Sequence, residues 1–181
     1  MSVLSDFSLH TLLGGGRLVV TPLSEDAVGP NAIDVTLGDN MRKLLTAGVI
    51  DTRTGEGAAY ESVCLDTRGG WTLYPGELYL GATAEWVEVP DELVCHFEGR
   101  STLGRFGVSV HATAGLVDAG WRGNVTAEIQ VVRATRLYPG QPIGQLVFAR
   151  LTTPAARPYG VRGRYQGSRG AVPPIPFGGG A

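Results

Sequence analysis

VTAEIQVV, running from Val125 to Val132, alternates apolar and polar residues with a period of two. A β-strand sends successive side chains to opposite faces, so Val125, Ala127, Ile129 and Val131 share one face while Thr126, Glu128 and Gln130 share the other. The stretch reads as a half-buried strand with one carboxylate, Glu128, on its polar side. The same habit recurs in AIDVTLG (32–38), ELYLGATAEWVEVP (77–90), LVCHFEG (93–99) and IGQLVFARL (143–151), with proline or glycine turns between them. A mainly β chain is expected.

Outward from these strands, the composition agrees. The 181 residues suit one domain, and 27 glycines with 11 prolines exceed what a helical bundle carries. One clear helix is expected, in LSDFSLHTLLGGG (4–16): Ser5 or Asp6 can cap it, Leu9, Leu12 and Leu13 line one side, and the glycines from Gly14 stop it. A short repeat, LYPGEL (73–78) and LYPGQP (137–142), places Pro then Gly at the centre of a type II turn, each copy launching an apolar strand.

The net charge of −2 lacks the basic footprint that nucleic-acid or membrane-surface binding needs, so neither partner is expected. Lys43 is the only lysine, and the remaining positive charge is arginine, which suits bidentate phosphate recognition. Cys64 and Cys95 form no C-x-x-C pair, sit among apolar residues and read as buried reduced thiols. With no basic leader before a long apolar run and no stretch long enough to span a bilayer, a cytoplasmic location is expected.

The chemistry concentrates between Gly99 and Gln130. GRSTLGR (99–105) supplies two arginines and two hydroxyls beside glycines, a composition suited to phosphate. Taken alone, Glu128 on an amphipathic strand would point into water; these neighbours make a chemical role comparably weighted. The tail from Pro154, rich in arginine, glycine and proline, reads either as disordered or as a segment whose aromatics Tyr159, Tyr165 and Phe177 order over an anionic, ring-bearing ligand.

EGRSTLGRFGVSVHATAGLVDAGWRGNVTAEI (98–129) resembles the central block of the dCTP deaminases, within the trimeric dUTPase superfamily. VGPNAIDVTLG (28–38), LYPGELYLG (73–81), YPGQPIGQLVFARL (138–151) and the tail segments RPYG and RYQGSRGA follow in the family's order. The resemblance implies a β-clip fold, a distorted dUTPase-like barrel with a short N-terminal helix, assembled as a homotrimer with sites between subunits. It divides the chain into a catalytic body, 1–153, and a C-terminal lid, 154–181. It also implies hydrolytic deamination of dCTP to dUTP and ammonia, supplying the dUMP from which dTTP is made. No zinc is expected, and the chain indeed lacks the H-x-E and P-C-x-x-C signature of zinc deaminases. Magnesium should arrive with the triphosphate.

The same match implies the roles. Glu128 is the general acid and base for water attack at C4. Arg105 holds Glu128 or the substrate in register, while Ser101 and the backbone at Ala114 place the water. Arg100, Ser101 and Thr102 meet the phosphates at a subunit boundary. Asp118 accepts the 3′-hydroxyl, and Trp121 packs on the deoxyribose, or is simply a core tryptophan. His111, Ala112 and Thr113 border the base-reading loop, His111 with a structural reading of equal weight. Tyr159, Arg164, Tyr165 and Ser168 belong to the closing tail, Arg164 and Ser168 standing where relatives have lysine and glutamine.

Three alternatives remain open at this level. TAGLVDAG (113–120) resembles both plain dUTPases and bifunctional enzymes that take dCTP to dUMP and diphosphate, in which Asp118 would activate a second water. A plain dUTPase usually has an apolar or small residue where Glu128 stands. A non-catalytic nucleotide-binding protein would keep the fold without turnover. Inhibition by dTTP is a further expectation of the resemblance.

Overall fold

The computed structural model describes residues 2–46 and 48–178. The last three residues of the 154–181 tail thus lie outside the described residues. In chain order the strands are β1 (Ser2–Val3), β2 (Val19–Thr21), β3 (Ile33–Thr36), β4 (Arg42–Thr46), β5 (Ala58–Ser62), β6 (Trp71–Leu73), β7 (Tyr79–Glu88), β8 (Leu93–Gly99), β9 (Val108–Ser109), β10 (Leu116–Val117), β11 (Arg122–Val131), β12 (Thr135–Leu137) and β13 (Pro142–Arg150). Helix α1 (Asp6–Gly14) precedes β2, and α2 (Ser101–Arg105) lies between β8 and β9.

Two antiparallel sheets form the body. One runs β1-β13-β8-β10 with β3 also on β13; the other runs β5-β4-β7-β11-β9 with β2 also on β7. Their inward faces supply most of the core, including Tyr79, Phe97, Phe148, Ile33 and Ile129, and Trp71 joins it from β6, all essentially without solvent contact. The period-two reading of β11 holds residue by residue: Val125, Ala127, Ile129 and Val131 are buried, Thr126 and Glu128 half-buried, Gln130 exposed.

The Pro-Gly turns also form as read, with Gly76 at φ 82° and Gly140 at φ 75°, values that glycine adopts without a Cβ penalty. The strands before them, β6 and β12, pair with each other in register, Trp71 opposite Leu137. Tyr79 secures the first turn from the following strand: its hydroxyl donates to Glu77 and accepts from the Tyr74 N–H at 3.0 Å.

Three expectations need correction. The N-terminal helix is present, with Leu9 and Leu12 buried, but neither Ser5 nor Asp6 caps it by a side-chain bond reaching into the next turn; Asp6 accepts only from the adjacent Phe7 N–H, at 2.8 Å. It is also not alone, since STLGR folds into α2, a single turn with no buried residue. Cys64 is exposed, because it lies beyond β5 at the sheet edge, whereas Cys95 faces the core from β8 and burial pushes its thiol well above the ordinary range.

The tail packs on its own body. Tyr159 N–H donates to Ala119 O at 2.8 Å, Gly167 N–H to Arg122 O at 2.8 Å, and Ala171, itself buried, to Asn40 Oδ1 at 2.7 Å. These bonds, rather than apolar periodicity, order a segment that composition alone leaves between disorder and closure. Among the described residues no helix is long and apolar enough to cross a membrane.

Candidate active site

Glu128 sits mid-strand on β11, opposite Leu80 of β7. A parallel bridge between His111 and Glu128 brings the 111–114 loop alongside the strand. There Glu128 Oε2 accepts from the Thr113 backbone N–H at 3.2 Å and from its hydroxyl at 3.3 Å. One carboxylate oxygen is thereby anchored by neutral donors, and Oε1 is left for other partners. His111 braces the same loop from the other sheet: its Nε2 lies 3.3 Å from Glu98 Oε2, with its ring 6.2 Å from that of Phe97.

Glu128 opens into a cavity of about 280 Å³, whose wall also includes Ala114, Asp118, Trp121, Tyr159 and Tyr165. Six residues singled out from the sequence thus converge although they come from a strand, two loops and the tail. Trp121 is a core tryptophan that also borders the cavity. Only 9% exposed, it belongs to the core, its indole N–H reaching Gly123 O at 3.3 Å, and one side of it still borders the cavity. Tyr159 meets it edge-on, ring centroids 5.3 Å apart. The two tail tyrosines are linked in turn, since the Tyr165 N–H donates to the Tyr159 hydroxyl at 3.2 Å.

The remaining residues lie elsewhere. Arg100 pairs with Asp34, which also accepts from Gln145 Nε2 at 2.9 Å. Ser101, Thr102 and Arg105 are exposed on α2, and among the described residues no hydrogen bond or ion pair joins Arg105 to Glu128. The reason is topological: α2 leads into β9, which pairs with β11 at Gln130 and Val131, beyond Glu128. Ala112 is exposed beside Thr113. Arg164 donates to Ile175 O and Pro176 O, both at 3.2 Å, and its guanidinium lies 5.2 Å from the Phe177 ring centre, so it ties down the end of the tail. Ser168 closes a turn through its hydroxyl to Tyr165 O at 2.6 Å.

Two cavity residues with polar side chains, Thr126 and Tyr60, escaped the sequence reading of the site. Thr126 was within reach of it, because a residue two before Glu128 shares its face. Tyr60 was not: it arrives from β5, remote in sequence, and no local pattern links it to Glu128. Burial first, and then the charges of Glu128 and Tyr165, hold its phenol above the ordinary tyrosine range.

Comparison with known proteins follows the same lines. Residues 3–151 match the family described as dCTP deaminase-like. A Methanobrevibacter smithii protein named dCTP deaminase, dUMP-forming, is 41% identical over 167 residues, covering 88% of this chain and 86% of its own. A Beutenbergia cavernae protein of the same name is 39% identical over 175 residues, covering 93% and 91%. In three dimensions the chain is similar to the 2′-deoxycytidine 5′-triphosphate deaminase of Agrobacterium tumefaciens, with TM-score 0.64 and 20% identity over 83% of this chain. The match spans about half, 48%, of that longer chain, and it shows the shared fold. From the family match over most of its length and from relatives well above 30% identity, this chain belongs to the dCTP deaminase-like family.

Proposed function

We propose that this chain deaminates dCTP without zinc and carries the product through to dUMP and diphosphate. The observation that carries this reading is the placing of two carboxylates, Glu128 and Asp118, on one aromatic-walled cavity. The relatives named dUMP-forming favour this product over dUTP.

In the first step water attacks C4 of cytosine as Glu128 takes its proton. Glu128 delivers that proton to N3, then carries the second proton, from the new C4 hydroxyl, to the amino group, so that the C4–N bond breaks, C4=O forms and ammonia leaves. Thr113 keeps the carboxylate oriented, since both its donors meet one oxygen and leave the other to face the reacting water. In the second step Asp118 serves as base for the water that attacks the α-phosphorus. Trp121 and Tyr159 pack on the deoxyribose, where contact would leave no room for a 2′-hydroxyl. Magnesium comes with the triphosphate, which supplies most of its oxygen ligands. Among the described residues no group of three or more His, Cys, Asp or Glu could hold a metal.

Of the phosphate-binding set, Ser101, Thr102 and Arg105 are exposed, Arg100 is half-buried against Asp34, and none of the four lines the cavity of its own chain. This supports a homotrimer in which a neighbouring copy brings α2 to the nucleotide. Light scattering giving a monomer under assay conditions would remove that part of the reading.

The deciding assay incubates the chain with dCTP and magnesium and resolves dCTP, dUTP, dUMP and ammonia. Ammonia with dUMP is expected. Accumulation of dUTP as end product would overturn the second step, and hydrolysis of added dUTP without ammonia from dCTP would overturn the first.

A further inference from the structure

Tyr60 is a cavity residue for which neither step has a use. It lies on β5 opposite Leu44 of β4, while Arg42 of β4 is opposite Leu80 of β7 and Leu80 is opposite Glu128. Residues two apart on a strand share a face, so Tyr60 and Glu128 project from the same face of the sheet. Three strand spacings and a stagger of two residues separate their backbones, about 16 Å in a flat sheet. Both side chains reach the cavity across that span, with Leu78 and Leu80 forming the floor between them. Along the sheet the order runs from Asp118 and Trp121, which precede β11 and take phosphate and sugar, through Thr126 to Glu128, and Tyr60 lies two residues further in the same direction, level with Gln130. Tyr60 therefore stands at the pyrimidine end.

Its chemistry fits that place. The ring is half-buried, and among the described residues its hydroxyl has no hydrogen-bond partner. A tyrosine phenol is protonated at neutral pH, and burial with nearby charge raises this one further. A protonated phenol both donates and accepts. Cytosine presents an N–H donor at C4 and uracil presents an oxygen acceptor, so an enzyme that holds first one and then the other needs a contact able to reverse its direction.

We propose that the Tyr60 hydroxyl is the side-chain contact to the C4 substituent, accepting from the 4-amino group of dCTP and donating to the 4-oxo group of the uracil nucleotide formed from it. The proposal rests on the reading that Glu128 acts at C4.

The test compares the unaltered full chain with Tyr60→Phe, which keeps the ring. The ligands are dCTP, dUTP and the deoxyribonucleoside triphosphate of 2-pyrimidinone, which carries only hydrogen at C4. The expected result is a rise of roughly 3- to 10-fold in KM for dCTP and dUTP, the size of one lost hydrogen bond, with unchanged affinity for the analogue. More dUTP should also escape during dCTP turnover. Equal weakening of all three ligands would mark Tyr60 as packing only and overturn the proposal, as would no change in any. If the unaltered chain releases no ammonia from dCTP, the deaminase reading falls and this one with it. Ammonia release left intact beside an indifferent Tyr60→Phe sinks Tyr60 alone. Should the variant fail to fold, the unaltered chain bound to a non-hydrolysable dUTP analogue decides, supporting the proposal with Oη within about 3.2 Å of O4 and refuting it otherwise.

Discussion

Glu128 and Thr113 are joined twice through a single carboxylate oxygen, by the Thr113 backbone N–H at 3.2 Å and by its hydroxyl at 3.3 Å. A glutamine in place of Glu128 can accept the same pair through its amide oxygen but cannot take a proton from water. Glu128→Gln should therefore bind dCTP and lose ammonia release by about 10²- to 10⁴-fold, the usual share of a general base. Calorimetric binding beside an ammonia assay checks it, and near-normal turnover would remove Glu128 from its role.

Thr113→Val removes the hydroxyl and spares the backbone bond. The carboxylate keeps one of two anchors, so kcat should fall by roughly 2- to 10-fold with little change in KM, in line with one hydrogen bond. An unaltered kcat would show that the backbone N–H alone suffices.

Asp118→Asn separates the two steps. Ammonia should still form from dCTP, while dUMP gives way to accumulating dUTP, followed by anion-exchange separation of the products. Equal loss of ammonia and dUMP would instead place Asp118 in binding common to both.

Tyr159 lies edge-on to Trp121 and is bonded to Tyr165, so ending the chain before Tyr159 strips one wall from the cavity. The body should keep its β circular-dichroism signal, since its sheets close without the tail. Turnover per unit KM should drop toward a hundredfold, the order expected when a substrate is held loosely. Unchanged kinetics would dismiss the tail as a lid.

Tyr79 carries a phenol pushed up to about 12 by burial first and by its bond to Glu77 second. Unfolded, it ionises near 10, so the folded state holds the proton more tightly between these values. The stabilisation is complete below about pH 10 and is lost as pH rises through about 12. Denaturant titrations of the unaltered chain and Tyr79→Phe should converge across that window, with the variant less stable by about 1 kcal/mol at neutral pH. Parallel curves would contradict it.

Much of this was legible in local pattern. Alternation placed Glu128 on the polar face of β11 because a strand's geometry repeats every two residues wherever it lies. The LYPG turns followed from the φ preferences of proline and glycine, which are properties of single residues. Cys64 and α2 were misread for separate reasons. Apolar neighbours in sequence do not reveal whether a segment ends inside a sheet or at its edge, and a single helical turn leaves no periodicity to detect.

What the sequence determined by itself was therefore the β character, the faces of its strands, the turns between them and, through a long motif, the family. Only the tertiary structure decided which of the motif's residues share a cavity. It gathered Glu128, Asp118, Trp121, Tyr159 and Tyr165, added Tyr60 from a remote edge strand, and left Arg100 to Arg105 on an outer turn. The physical reason is that strand pairing and tail docking are long-range choices, set by which apolar faces and backbone groups satisfy one another across the fold, and no window of consecutive residues contains them.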